Sequence, residues 1–316
     1  MRHEFIVNPA AGKRKHIRAA IEAIHAACGR HDQPHTVTLT DCAGDGVRIA
    51  RSIVDSGEEA RIYAVGGDGT LCEVLQAAAG APHIAVTNLP AGTGNDFLKI
   101  FGPAFREGFW DLDAMLTDFS QAPLDVMDCN GRLGLDVVCA GVDARVAAGV
   151  DKFKALPLVK GQGAYILSLA QNVIFKGIAR PMTVHIDGQT WDKPTSILCI
   201  CNGRHYGGGF MPVGDAMPDD GILDTLLVPE VSLPTFARLV GEYAKGKYAD
   251  YPDLIEAHHT PGPIHYEARE PITTVVDGEV MVAKEFTVSL SDRKLNFFWP
   301  AKLSYQVEKE PAASAL

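Results

Sequence analysis

Residues 64–73 read AVGGDGTLCE, an apolar run that enters three glycines around one carboxylate and then a helical pattern. That is how a main chain is shaped to hold phosphate. Glycine lets the turn reach backbone conformations closed to other residues and lets a ligand come close to main-chain N–H groups. The helix that follows aims its positive end at the anion. Residues 89–97, LPAGTGNDF, repeat the design with Gly92, Gly94, Thr93, Asn95 and Asp96. Two such turns in one domain point to a nucleotide. The common glycine signatures fit badly. A P-loop needs GxxxxGK followed by Ser or Thr, whereas Gly12 and Lys13 precede Arg14 and lack the earlier glycine. A dinucleotide fingerprint would need glycine at 72 or 97, where Cys72 and Phe97 stand.

The elements that must position these turns alternate. Strands are expected at 5–7, 36–39, 62–65 and 84–88, and helices at 17–28, 46–55 and 71–79. Strands separated by helices pair in parallel through right-handed crossovers. Residues 1–125 therefore read as a doubly wound, Rossmann-like α/β domain, with ligands outside the carboxyl ends of its strands. Past Pro123 the texture changes to β-type runs at 133–138, 182–186, 196–201, 223–228, 272–276 and 286–290. Asp187 and Gly188 mark a two-residue hairpin, and helices are expected at 164–175 and 233–244. Residues 126–300 read as a mainly antiparallel β-sandwich domain, and 301–316 as a tail, frayed from Glu308. Cys199 and Cys201 alternate along a strand and face one side, which suits a core.

Composition narrows the function. With 39 acidic against 29 basic side chains the net charge is −10, which excludes a nucleic-acid partner bound through phosphate neutralisation. The seven cysteines contain no CxxC pair, so a reducing cytoplasm is the expected compartment. No secretory leader and no apolar run of transmembrane length is evident. Contact with a bilayer is then peripheral.

The motifs NPAAGKRK at 8–15, GGDGTLCEV at 66–74, PAGTGNDF at 90–97, GGGFMPVGDAMPDDGILD at 207–224 and DGE at 277–279 resemble the diacylglycerol kinase catalytic-domain family. That family also takes in sphingosine and ceramide kinases. The resemblance implies ATP bound between the two domains, Mg²⁺, and transfer of phosphate to a lipid alcohol, diacylglycerol first. It implies that Gly66, Gly67, Gly69 and Thr70 line the phosphates, with Asp68 acting through water or Mg²⁺. Asn8, Thr40, Gly92, Thr93, Asn95 and Asp96 complete the nucleotide pocket. Asp220, with the carbonyls of Met217 and Ile222, would hold a structural Mg²⁺. Glu279, with Asp277 before it, would take the proton of the lipid hydroxyl. Cys72 and Gly214 depart from the family pattern, which usually has Asn and Pro there.

The chemistry suits these residue types without the family. Phosphoryl transfer is mostly positioning and charge stabilisation, and Mg²⁺ takes oxygen ligands, so glycine turns and carboxylates suffice. Duller readings stand beside these. Asp220–Gly221 and Asp277–Gly278 are also ordinary turn pairs. Lys13, Arg14, Lys15, His16 and Arg18 form either a solvated helix start or a phosphate-attracting patch. Phe153, Leu156, Pro157, Leu158 and Val159, among three lysines, suit an interfacial loop or a connector packed on the β domain. Three rival functions share part of the pattern: an NAD kinase, a non-lipid small-molecule kinase and a non-catalytic nucleotide-binding regulator. The partners expected are a lipid at a membrane surface and, in a homodimer, a second copy of the chain.

Overall fold

The computed structural model describes residues 1–12, 14–154, 167–169, 171–173 and 177–305. In the first of two sheets, β1 (Arg2–Val7), β2 (His35–Leu39), β3 (Ala60–Gly66) and β4 (Ile84–Pro90) run parallel in the order β2-β1-β3-β4. β1, β3 and β4 are buried almost end to end, as strands must be when helices cover both faces. Helices α1 (Arg14–Arg30), α2 (Asp45–Asp55) and α3 (Asp68–Ala78) carry the chain between them. The chain adds β2 on one side of β1, and β3 and β4 on the other. At such a switch point successive crossovers diverge, and a crevice opens beyond Val7 and Gly66.

The sheet does not stop at β4. After the short helices α4 (Phe105–Phe109) and α5 (Leu112–Thr117) comes β5 (Phe119–Leu124), which pairs antiparallel with β15 (Leu295–Pro300), itself parallel to β4. This corrects the expected boundary at residue 300, because the last strand belongs to the first sheet. The reason is apolar: Phe297 meets Phe97 edge-on at 5.4 Å, and Phe298 meets Tyr63 at 5.2 Å. The tail assigned from residue 301 is corrected as well. Tyr305 is buried, with its ring 5.2 Å from Trp299 and 5.4 Å from Phe101. Residues 306–316, with the stretch from Glu308, lie outside the described residues.

The second sheet is antiparallel throughout. It comprises β6 (Met127–Cys129), β7 (Arg132–Gly134), β8 (Val137–Gly141), β9 (Arg180–Ile186), β10 (Gln189–Cys201), β11 (Leu223–Pro229), β12 (Glu256–Thr260), β13 (Ile264–Val276) and β14 (Glu279–Leu290). β10 and β13 each pair with β9 through their first part and with β8 through their last. That double pairing folds the sheet into a sandwich. Alternation sends Val138, Ala140 and Tyr266 to one apolar cluster and Val137, Cys139, Cys199 and Cys201 to another. The second cluster also takes Val142 and Val146 of α6 (Val142–Lys154) and Phe236 of α7 (Leu233–Tyr243).

The single run expected over 133–138 is broken at Leu135 and Asp136 into β7 and β8. β12, reading EAHHT, carries no apolar alternation and was not foreseen. Of the helix expected at 164–175, residues 167–169 and 171–173 are helical. The side chains of 151–160, with the interfacial reading of Phe153 and Leu158, lie outside the described residues, as does Lys13.

Candidate active site at the domain junction

The carboxyl ends of β1, β3 and β4 release their loops into one crevice. Asn8 ends β1: its Oδ1 accepts the Ala10 amide at 2.9 Å, and its Nδ2 donates to Thr70 Oγ1 at 3.2 Å. Thr40 is buried beside it and donates its amide to the Val7 carbonyl at 2.9 Å. Gly66 and Gly67 lead into α3, whose first N–H groups have no partner inside the helix. The second loop lies against the first at backbone contact. A methyl group on Gly92 would stand 2.5 Å from the Gly67 Cα, so no side chain fits there.

Side chains lock the two loops together. Asp68 Oδ2 accepts the Asn95 amide at 2.8 Å and Oδ1 the Asp96 amide at 2.6 Å. Asn95, at φ 55°, donates from Nδ2 to the Gly66 carbonyl at 3.0 Å and to Asn88 Oδ1 at 2.9 Å. Thr93 in the second loop and Gly69 in the first turn of α3 are exposed. Arg106 holds the loop from outside by donating to the carbonyls of Gly92 at 3.1 Å, Thr93 at 3.2 Å and Gly94 at 3.1 Å. Sequence reasoning missed Arg106, since a lone arginine in a short helix carries no signal.

The second domain supplies carboxylates. Asp277 and Gly278, at φ 48° and 91°, form the two-residue turn between β13 and β14. Asp277 Oδ2 accepts the Leu135 amide at 2.5 Å, and Oδ1 the amides of Asp136 at 3.1 Å and Val137 at 2.8 Å. The Cys72 thiol of α3 reaches Asp277 Oδ2 at 3.6 Å across the junction. Gln76, one turn on, donates to the Leu133 carbonyl at 2.9 Å and accepts its amide at 3.1 Å. The departure at Cys72 thus sits in the seam between the domains. Asp277, expected beside Glu279 in the proton transfer, has both oxygens engaged by these donors.

Asp136 was not foreseen, although a lone carboxylate inside the run LGLDVVCAG was its signal. It is buried, and its Oδ1 has no hydrogen-bond partner among the described residues. Gly203 makes room for it, since a Cβ there would lie 2.1 Å from that oxygen. Burial pushes the Asp136 carboxyl well up, and Asp277, Asp96 and Asp68 push it further. Asp68 is raised to about 6, by burial first and by Asp96 next, against the pull of its two amides. Asp96 Oδ2 accepts the Gly208 amide at 2.9 Å, a tie from the first domain to the second. Carboxylates that raise one another need a positive partner to stay ionised together.

Glu279 opens β14 directly across from Val276. It is exposed, and among the described residues no hydrogen bond or ion pair engages it. Asp220 lies apart in the 207–224 run, where its Oδ1 accepts the Ile222 amide at 3.0 Å. Its other oxygen has no partner among the described residues. Burial and Asp219 raise it, with the Ile222 amide opposing. A carboxylate together with main-chain carbonyls, as expected of Asp220, Met217 and Ile222, is a donor set of the kind Mg²⁺ takes. Met217, expected to offer its carbonyl, also takes Arg204 Nη2 on its sulfur at 2.9 Å. In the basic patch, Arg18 is paired with Glu22 at 3.1 Å.

Residues 2–122 match the profile of the diacylglycerol kinase catalytic domain, and 136–298 that of the YegS C-terminal NAD kinase beta sandwich-like domain. A Pseudomonas aeruginosa PAO1 protein named "Probable lipid kinase YegS-like" is 31% identical over 90% of each chain. The chain belongs to the diacylglycerol kinase catalytic-domain family. A Stenotrophomonas maltophilia K279a relative of the same name is 27% identical over 82% of this chain and 84% of its own. A solved diacylglycerol kinase from Bacillus anthracis Sterne shares the fold, with a TM-score of 0.68 at 19% identity over 94% of this chain and 96% of that one. This is a family of lipid kinases, which sets the NAD-kinase alternative aside. Among the described residues no helix is long and apolar enough to cross a membrane.

Proposed function

We propose that this kinase transfers the terminal phosphoryl group of ATP to the hydroxyl of a membrane lipid, diacylglycerol first, in a Mg²⁺-dependent reaction on the cytoplasmic side. It meets that lipid peripherally. One observation carries the reading: the glycine loops of the first domain meet the second at close range, with Asp96 Oδ2 accepting the Gly208 amide at 2.9 Å and the Cys72 thiol of α3 3.6 Å from Asp277 Oδ2.

In this reading Asn8, Thr40, Gly66, Gly67, Gly69, Thr70, Gly92 and Thr93 surround the nucleotide. The free amides at the start of α3 and the helix dipole attract its phosphates. Asp136 would hold the catalytic cation, and its unpartnered Oδ1 supports that fit. Asp68, whose oxygens take the Asn95 and Asp96 amides, and Asp96, paired with Lys99, would act on it through water. When bound, Mg²⁺ would draw negative charge from the transferring group. Asn95, Arg106 and Asp277 keep the loops and the junction in register. Glu279, exposed and unengaged, takes the proton of the lipid hydroxyl. The lipid oxygen then bonds to phosphorus as the bond to the ADP oxygen breaks. Asp220 would hold a second, structural Mg²⁺.

Incubation with labelled ATP and a panel of diacylglycerol, sphingoid bases, ceramide, phosphatidylglycerol and non-lipid alcohols tests the proposal. Labelled phosphatidic acid that disappears on chelation supports it. Label confined to water-soluble alcohols, or label that persists after chelation, sinks it.

A further inference from the structure

Away from the crevice, the β domain gathers a second set of ligand-type side chains. β13 and β14 pair so that Glu267 stands directly opposite Glu285 and His265 opposite Thr287. Residues two apart on a strand share a face. His265, Glu267 and Glu285 each offer a ligand atom, and these atoms lie within 4.8 Å of one another. Like charges directly opposed across two strands destabilise the pairing. Among the described residues no ion pair or side-chain hydrogen bond relieves either glutamate.

The histidines around this pair are held as metal-binding histidines are held. His265 Nδ1 meets Thr287 Oγ1 at 3.0 Å. His185 of β9, directly opposite His265, meets Thr190 Oγ1 through its own Nδ1 at 3.1 Å. The two rings stack, with centroids 5.8 Å apart. A hydroxyl on Nδ1 fixes each ring and leaves Nε2 free, the second layer of contacts that orients a metal-bound imidazole.

We propose that His265, Glu267 and Glu285 form a Zn²⁺-class cation site on the face of the β domain, with His185 stacked on His265 beside it. An imidazole beside carboxylates favours zinc and its neighbours, whereas Mg²⁺ prefers oxygen alone and keeps its waters. A cation here offsets the opposed glutamates and clasps β13 to β14. Binding the folded chain and not the unfolded one, it stabilises the domain by mass action. None of these residues takes part in holding the phosphate loops, so the site is independent of the proposed reaction.

The test is calorimetric titration of the full chain with Zn²⁺ in Mg²⁺-containing buffer, in a Cys42→Ser background because Cys42 is the exposed cysteine. One Zn²⁺ per chain is expected, with a raised melting temperature. His265→Ala and Glu267→Gln should each abolish both effects while leaving lipid phosphorylation unchanged, and Glu267→Gln, by removing one of the opposed charges, should slightly raise the metal-free melting temperature. Thr287→Val should weaken binding about 10- to 100-fold. Zn²⁺ binding of equal stoichiometry and affinity in His265→Ala and Glu267→Gln, or none in the parent, overturns the site.

Discussion

The two sides of the crevice are built on different principles. On the first domain, the crevice-facing surface is main chain: two loops touch at Gly67 and Gly92, and side chains such as Asn95 and Arg106 hold them. On the second domain, the facing surface is side chain, with Asp136 far in sequence from the turn that carries Asp277 and Glu279. Within that second set the division repeats. Asp277 is saturated with donors, and Glu279, two residues away, is engaged by none among the described residues. In the proposed reaction, holding and proton transfer thus fall to two carboxylates of a single hairpin.

The sharpest test of that separation is the pair of substitutions at the turn. Glu279→Gln should lower kcat by about 10²- to 10⁴-fold with a melting temperature close to wild type, as exposed substitutions usually leave it. Activity within a factor of ten of wild type would remove Glu279 as the proton acceptor. Asp277→Ala should do the reverse in thermal and denaturant unfolding, because each buried amide left without its acceptor costs about 1–3 kcal/mol. A stable Asp277→Ala protein with a collapsed kcat would restore Asp277 to the chemistry.

On the opposite side, Gly92→Ala should cost about 1–3 kcal/mol through overpacking and raise the KM for ATP more than it lowers kcat. An unchanged KM would mean that the contact between the loops does not shape the nucleotide site.

A smaller effect is expected from pH. Asp68 is raised from 3.8 to about 6 and Asp143 to about 7, chiefly by burial. For a raised carboxyl, the stability it contributes is whole below the unfolded value and is lost as pH climbs through the folded one. Chelated protein should therefore lose stability between about pH 4 and 7, and Asp68→Asn should flatten the lower part of that decline. Added Mg²⁺ should restore wild type at pH 7.5 and Asp68→Asn much less. A profile identical in both proteins would detach Asp68 from the cation.

The parts of this site legible in the sequence are those that need a particular residue type at a fixed local spacing. GGDGT and PAGTGND announce themselves because no other side chain fits where Gly92 meets Gly67. Three of the parallel strands of the first domain, β1, β3 and β4, were readable for a related reason, since burial on both faces demands continuous apolar runs. Arg106 was illegible because its importance comes from long-range placement, reaching back to three carbonyls, and the lone carboxylate of Asp136 in an apolar run marked it without telling that three other aspartates lie near it. Leu295–Pro300 was misassigned on the same ground, since nothing local tells which of two sheets an apolar strand will join.

That last strand has a consequence for how the chain is made. β15 is the partner of both β4 and β5, and it emerges after almost the whole β domain has been synthesised. Until then the apolar edge of Ile84–Pro90 has no neighbour on that side, and an open edge of this kind invites association with other chains. Removing the codons for residues 295–305 should therefore yield insoluble nascent protein even though both glycine loops are intact, and ribosome-associated chaperones should crosslink preferentially to residues 84–90.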